Sequence, residues 1–71
     1  MADDYSLSNL IERIYINQLA LEAGLMELTL HLERDGATVA GRNVRGALEA
    51  IGENTGFIKQ GLARLRAQEA D

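Results

Sequence analysis

The side chains best suited to chemistry in this chain gather near its middle. His31, the single histidine, follows Glu27 by four residues and lies close to Arg34 and Asp35. On a helix that spacing puts Glu27 and His31 on one face, as two possible ligands for a metal ion. Carboxylate-bridged metal bundles instead place Glu and His three apart and add further glutamates. Leu28 occupies the position where that acid would stand. His31 therefore reads as a solvated histidine near a helix end, where the helix dipole favours it, and no metal or cofactor is expected. The next stretch, Gly36 to Arg45 (GATVAGRNVR), sets glycines and two arginines before a helix, which superficially suits anion capture. It lacks the Gly-Lys-Ser/Thr ending of a phosphate loop and any strand ahead of it. Catalysis needs a nucleophile, a base and an orienter in a pocket. A small helical protein offers little concavity for them, so no catalytic residue is assigned and the chain is not expected to be an enzyme.

Arg42 and Arg45 remain informative, because cations at the start of a helix oppose its dipole. Glu33 and Asp35 are misplaced in the complementary sense, as acids at the end of the preceding helix. Folding back brings these ends together. The plainer reading is mutual pairing across the turn, worth under about 1 kcal/mol per exposed pair. The sharper one makes Arg42 and Arg45 an electropositive tip for an acidic partner.

The elements behind these groups are read from periodicity. Leu7, Ile11, Ile14, Gln18, Leu21, Leu25, Leu28 and Leu32 repeat at alternating steps of four and three, a heptad seam. Ile16, Leu19, Ala23, Met26 and Leu30 form a second apolar stripe about 160° around the same helix. Helix 1 is expected over about residues 6–34, with Ser6, Ser8 or Asn9 as cap and Asn9 with Glu12 as a possible capping box. Asp35 and Gly36 mark its stop. A turn over about 35–41 is too short for another element and returns the chain antiparallel. Helix 2 follows over about 42–68, with Thr38 the better cap candidate. Its seam is Val44, Leu48, Ile51, Thr55, Ile58, Leu62 and Leu65.

Beside that seam run Ala47, Ala50, Asn54 and Gly61, interrupted by Phe57. Small side chains let helix axes approach more closely than about 8–10 Å. Gly46, Gly52, Gly56 and Gly61 fall inside helix 2, each costing about 0.8–1 kcal/mol relative to alanine. Gly52 and Gly56, opposite the seam, are either tolerated exposed positions or places where a partner's backbone comes close. Gln18 and Thr55 interrupt the two seams at levels that an antiparallel turn near residue 37 brings together, which suggests one polar layer setting register. Tyr5 and Tyr15 can cover apolar surface while their hydroxyls reach water, and both are partner-binding candidates.

Composition bounds the rest. With 71 residues and no proline or cysteine, the chain is one domain without disulfides or thiolate metal sites. A single core of this size supplies only about 3–5 kcal/mol. Net charge is −4, with seven acids against two arginines in residues 1–36 and five cations against two acids in 37–66. Asp3 and Asp4 stand where a secretory signal would be positive, and no apolar run approaches about 18 residues. A cytoplasmic protein with no membrane partner is expected.

In length, in its paired antiparallel helices and in heptad cores with a polar interruption, the chain resembles plasmid-encoded RNA-binding bundles of the Rop type. That resemblance implies a dimeric four-helix bundle, with RNA contacted along a polar stripe such as Asn9, Arg13, Asn17, Glu27 and His31. The stripe holds one arginine, no lysine and no stacking aromatic, so nucleic acid is not the expected partner. Small helical-hairpin co-chaperones of secretion systems are built similarly, and offer a further alternative.

The expected fold is an all-α two-helix antiparallel hairpin, dimerising into a four-helix bundle. Leu21, Leu25, Leu28, Leu48, Ile51, Ile58 and Leu62 are expected to form its intramolecular core. Ile16, Leu19, Ala23, Met26, Leu30, Ala47, Ala50 and Phe57 are the expected oligomer interface. Tyr5, Tyr15, Arg42, Arg45, Gly52 and Gly56 are the candidate contacts to a second protein. The expected function is that of a small acidic adaptor, inhibitor or antiactivator that modulates another protein through a helical surface.

Overall fold

The structure, a computed structural model, describes residues 5–70. Helix α1 spans Leu7–Arg34 and α2 spans Thr38–Ala70, packed antiparallel as a hairpin. The Ser6 side chain caps α1 by accepting from the Asn9 amide at 3.3 Å. The Asn9 amide is thus taken by Ser6, and Glu12, its possible partner in a capping box, reaches across to Arg66 at 3.1 Å.

The turn is closed by backbone geometry. Gly36 adopts φ 81°, the left-handed region open to glycine. The Gly36 amide donates to the Glu33 carbonyl and the Ala37 amide to that of Leu32, the paired bonds that end a helix at such a glycine. Three residues suffice for the reversal, so α2 starts one turn earlier than the sequence pattern suggested. Gly41 lies against Leu32 and Glu33, and a Cβ built there would meet the Glu33 side chain at 3.2 Å. Residues Val39 to Gly41 are thus helix because the returning strand of chain is already packed on α1.

The seam of α2 is as expected: Leu48, Thr55 and Leu62 are buried, and Val44, Ile51, Ile58 and Leu65 half-buried. That of α1 is not. The residues facing α2 are Ser8, Ile11, Tyr15, Gln18, Glu22, Leu25, Thr29 and Leu32. Ser8, Tyr15, Glu22 and Thr29 replace Leu7, Ile14, Leu21 and Leu28, a rotation of about 50° at roughly 100° per residue. Leu21 and Leu28, expected in the core, are 52% and 47% exposed.

The polar groups thus drawn inward are mostly satisfied. The Thr29 and Thr55 hydroxyls donate to the carbonyls of Leu25 and Ile51 at 2.7 Å, each within its own helix. Gln18 and Thr55 share a level without a hydrogen bond between them, so the expected polar layer is one of position only. Ser8 donates to Glu69 at 2.9 Å. Glu22 is the exception: its Oε1 is out of solvent's reach with no hydrogen-bond partner.

A single layer results. The hairpin measures 53 × 18 × 11 Å with a radius of gyration of 16.0 Å, against about 11 Å for a compact domain of this length. Its accessible surface is 5580 Å², where a folded monomer of this mass exposes about 4,400 Å². Replacing Glu22 by Leu removes the orphaned oxygen from the seam and is expected to stabilise the hairpin by about 1–2 kcal/mol. Urea unfolding at fixed protein concentration checks this, and a loss of stability would mean that Glu22 has a partner the fold needs.

Candidate functional site

Two faces flank the seam, and the rungs between the helices define their character. Because the helices run antiparallel, residue pairs whose numbers add to about the same total lie level, as Leu32 and Gly41 do. On one face the level pairs are Leu7 with Leu65, Ile14 with Ile58, Leu21 with Ile51, and Leu28 with Val44. All four rungs are aliphatic. Ile11, Ile14, Phe57, Ile58, Gly61, Leu62 and Leu65 line a groove of about 410 Å³ there. Asn17, Ala20, Leu21, Gly24, Leu25 and Leu28 line another of about 570 Å³. Leu7, Ile14, Leu21 and Leu28 are each about half exposed. No charged side chain interrupts these four rungs or lines either groove, and the surface resembles a core cut in half.

The opposite face is built differently. Its end rungs are ion pairs, Glu12 with Arg66 at 3.1 Å and Glu33 with Arg45 at 2.8 Å. Leu19 with Lys59, and Met26 with Gly52, fall at whole-heptad steps between these pairs along the same two lanes. Ile16, Leu19, Met26 and Leu30 stand 39–52% exposed along this side of α1, and Ala23 is exposed among them. Gly52 and Gly56 are exposed, and a Cβ at either would meet nothing within 4 Å. An apolar ridge on α1 therefore runs beside an open, glycine-lined side of α2.

The residues expected to form one oligomer interface are divided between these faces. Ile16, Leu19, Ala23, Met26 and Leu30 belong to the ion-paired face, whereas Ala47 lies at the edge of the charge-free one. Phe57, 79% exposed, rims the apolar groove beside Ile14, and Ala50 turns outward on α2. Glu22 and Thr29 were not singled out from the sequence, and Ser8 only as a possible cap, since a polar residue at every seventh position of an apolar helix gives no seam signal.

The other candidates separate likewise. Tyr15 is half-buried in the seam. Tyr5 is 78% exposed and lines a surface hollow with Asn9, Leu10, Glu12 and Arg13. Arg45 donates two hydrogen bonds to Glu33, at 3.0 and 2.8 Å, so half of the expected tip is neutralised. Arg42 shares a shallow pocket with Glu33, Thr38 and Arg45. Asp35 contacts His31 at 3.2 Å, not an arginine, and both side chains are exposed. Among the described residues no cluster of three or more His, Asp or Glu converges on a point that could hold a metal, and no helix is long and apolar enough to cross a membrane.

No family model matches this chain, and no curated protein or solved structure is significantly similar to it.

The hydrogen bonds from Arg45 hold the Glu33 carboxyl below the ordinary glutamate value of 4.5. A depressed folded-state pKa means that the contact's contribution is present above the unfolded carboxyl's value and disappears as pH falls through the folded one. NMR titration should show the Glu33 carboxyl titrating below 4.5, and Arg45→Met should return it to that value. An unmoved titration in the variant would show that the pair does not form in solution.

Proposed function

We propose that this chain is a non-enzymatic protein–protein interaction module that pairs with itself into a four-helix bundle and modulates a second protein through the helical face left free. The observation carrying this reading is that α1 presents half-exposed leucine, isoleucine and methionine on both sides of its seam. Exposed apolar surface on this scale marks interaction surfaces in small proteins. One flank suits a second copy, because it is charge-free. The other suits a different protein, because its ion-paired ends and glycine-lined side provide the polar rim and close approach that select a partner.

An RNA-binding role is less well supported. Of the polar stripe, Arg13, Asn17, Glu27 and His31 are exposed on α1 and Asn9 is half-buried, with one arginine among them, while Arg45 and Arg66 are engaged by Glu33 and Glu12. A phosphate backbone would need several free cations on one side.

The test is affinity purification from the native host with the full chain and its Leu19→Lys, Met26→Lys variant, read by quantitative mass spectrometry. One protein should be enriched with the wild type and fall at least about tenfold with the variant, a loss of about 1.4 kcal/mol or more. The variant should keep its helicity and its own oligomeric state. Equal enrichment by both forms, or enrichment of nothing, would count against the reading.

A further inference from the structure

The charge-free face also carries information about how two copies meet, and this inference rests on the self-pairing proposed above. A 53 × 18 Å outline gives each copy a footprint of about 950 Å², or about 1,900 Å² for the pair, within the roughly 1,200–2,000 Å² of stable interfaces. The layer is 11 Å thick, one helix deep, so a second layer on this face makes a bundle with an interior. The four aliphatic rungs would fill that interior however the second copy is turned. Its orientation must be decided at the edges.

Each edge of the face carries one amide in the middle. On α1 the bordering lane is Leu10, Asn17, Gly24 and His31, and on α2 it is Ala47, Asn54, Gly61 and Gln68, with Phe57 at the rim beyond it. Asn17 and Asn54 are both exposed and lie level with each other on opposite edges. We propose that a second copy covers this face turned about an axis running along the helices, so that both turns lie at one end and each Asn17 meets Asn54 of the other copy.

Such a half-turn exchanges left and right while keeping every level. It lays α1 of one copy over α2 of the other, antiparallel. Asn17 and Asn54 then hydrogen-bond across both edges, two equivalent pairs related by the axis. Gly24, with open space where a Cβ would be, comes over Ala47, and Leu10 comes over Gly61. Small residues at these edges let the layers close over the aliphatic rungs.

The other closed arrangement turns about an axis across the helices. With α1 fully overlapped it sets Asn17 against Gly24, with α2 fully overlapped it sets Asn54 against Asn54 of the other copy, and it places the turns at opposite ends. The two Asn17 amides would then lie at a closing apolar edge without polar partners, a cost that proteins avoid. A polar pair at one layer of an apolar interface is a recognised way to fix orientation.

The chain has no cysteine, so Thr38→Cys in the full chain accepts a single nitroxide label at the exposed start of α2. Light scattering on a sizing column gives the mass, and pulsed electron spin resonance gives the distance between labels. The proposal expects a dimer with labels about 15–30 Å apart, given helix axes about 8–10 Å apart. A dimer with labels more than about 40 Å apart, towards the 53 Å length of the hairpin, overturns the orientation and leaves self-pairing intact. A monomer overturns both. Independently, Asn17→Asp with Asn54→Asp should weaken dimerisation at least about tenfold relative to Asn17→Lys with Asn54→Asp, whereas equal affinities would contradict the edge pairing.

Discussion

Helix α1 has more apolar circumference than one antiparallel neighbour can cover, and the rest of the molecule follows from that surplus. Three lanes of it are rich in aliphatic side chains. Turning Leu7, Ile14, Leu21 and Leu28 into the seam would bury one flank and strand the other. The hairpin instead turns the middle of the apolar arc toward α2, with Ile11, Leu25 and Leu32 in contact, and accepts Ser8, Glu22 and Thr29 beside them. One apolar lane is then left on each face. On one face the aliphatic seam of α2 continues it, and on the other ion pairs frame it.

This arrangement leaves the isolated hairpin with little interior. Among the described hydrophobic residues only Leu48 and Leu62 are buried, at 9% and 8% exposure, whereas threonine occupies the most enclosed position on α1. Intrahelical hydrogen bonds make Thr29 and Thr55 tolerable there but add no apolar contact. The glycines of α2 subtract further from its intrinsic helicity. A single layer of two helices cannot exclude water from both sides of its own seam. If the proposed second copy covers one of these faces, folding is coupled to association.

Much of the architecture was legible in the residue pattern. Two long helices, the stop at Gly36 and the complete seam of α2 follow from periodicity and turn chemistry. The seam of α1 was only half legible, because its two possible frames share Ile11, Gln18, Leu25 and Leu32 and differ by one residue at the remaining positions. Hydrophobicity favours Leu7, Ile14, Leu21 and Leu28, and a lone helix carries no information about which arc its neighbour will take. For the same reason Ala47 and Phe57 were grouped with Leu19 and Met26: which lanes of two helices share a face depends on their mutual rotation. The start of α2 was set too late because the turn was drawn through Gly41, which in the fold is a buried contact with Leu32 and Glu33. The Glu33–Arg45 pair was anticipated, since misplaced charges at two helix ends satisfy each other when the ends meet.

The dependence of folding on association can be measured through the thermal unfolding midpoint of the full chain across a wide range of protein concentrations, followed by far-ultraviolet circular dichroism. If assembly completes the interior, the midpoint rises steadily with concentration and helicity falls away on strong dilution. A midpoint that stays constant from the lowest to the highest concentration, with helicity retained throughout by a species of single-chain mass, would show that the hairpin stands alone and that its apolar flanks need no cover.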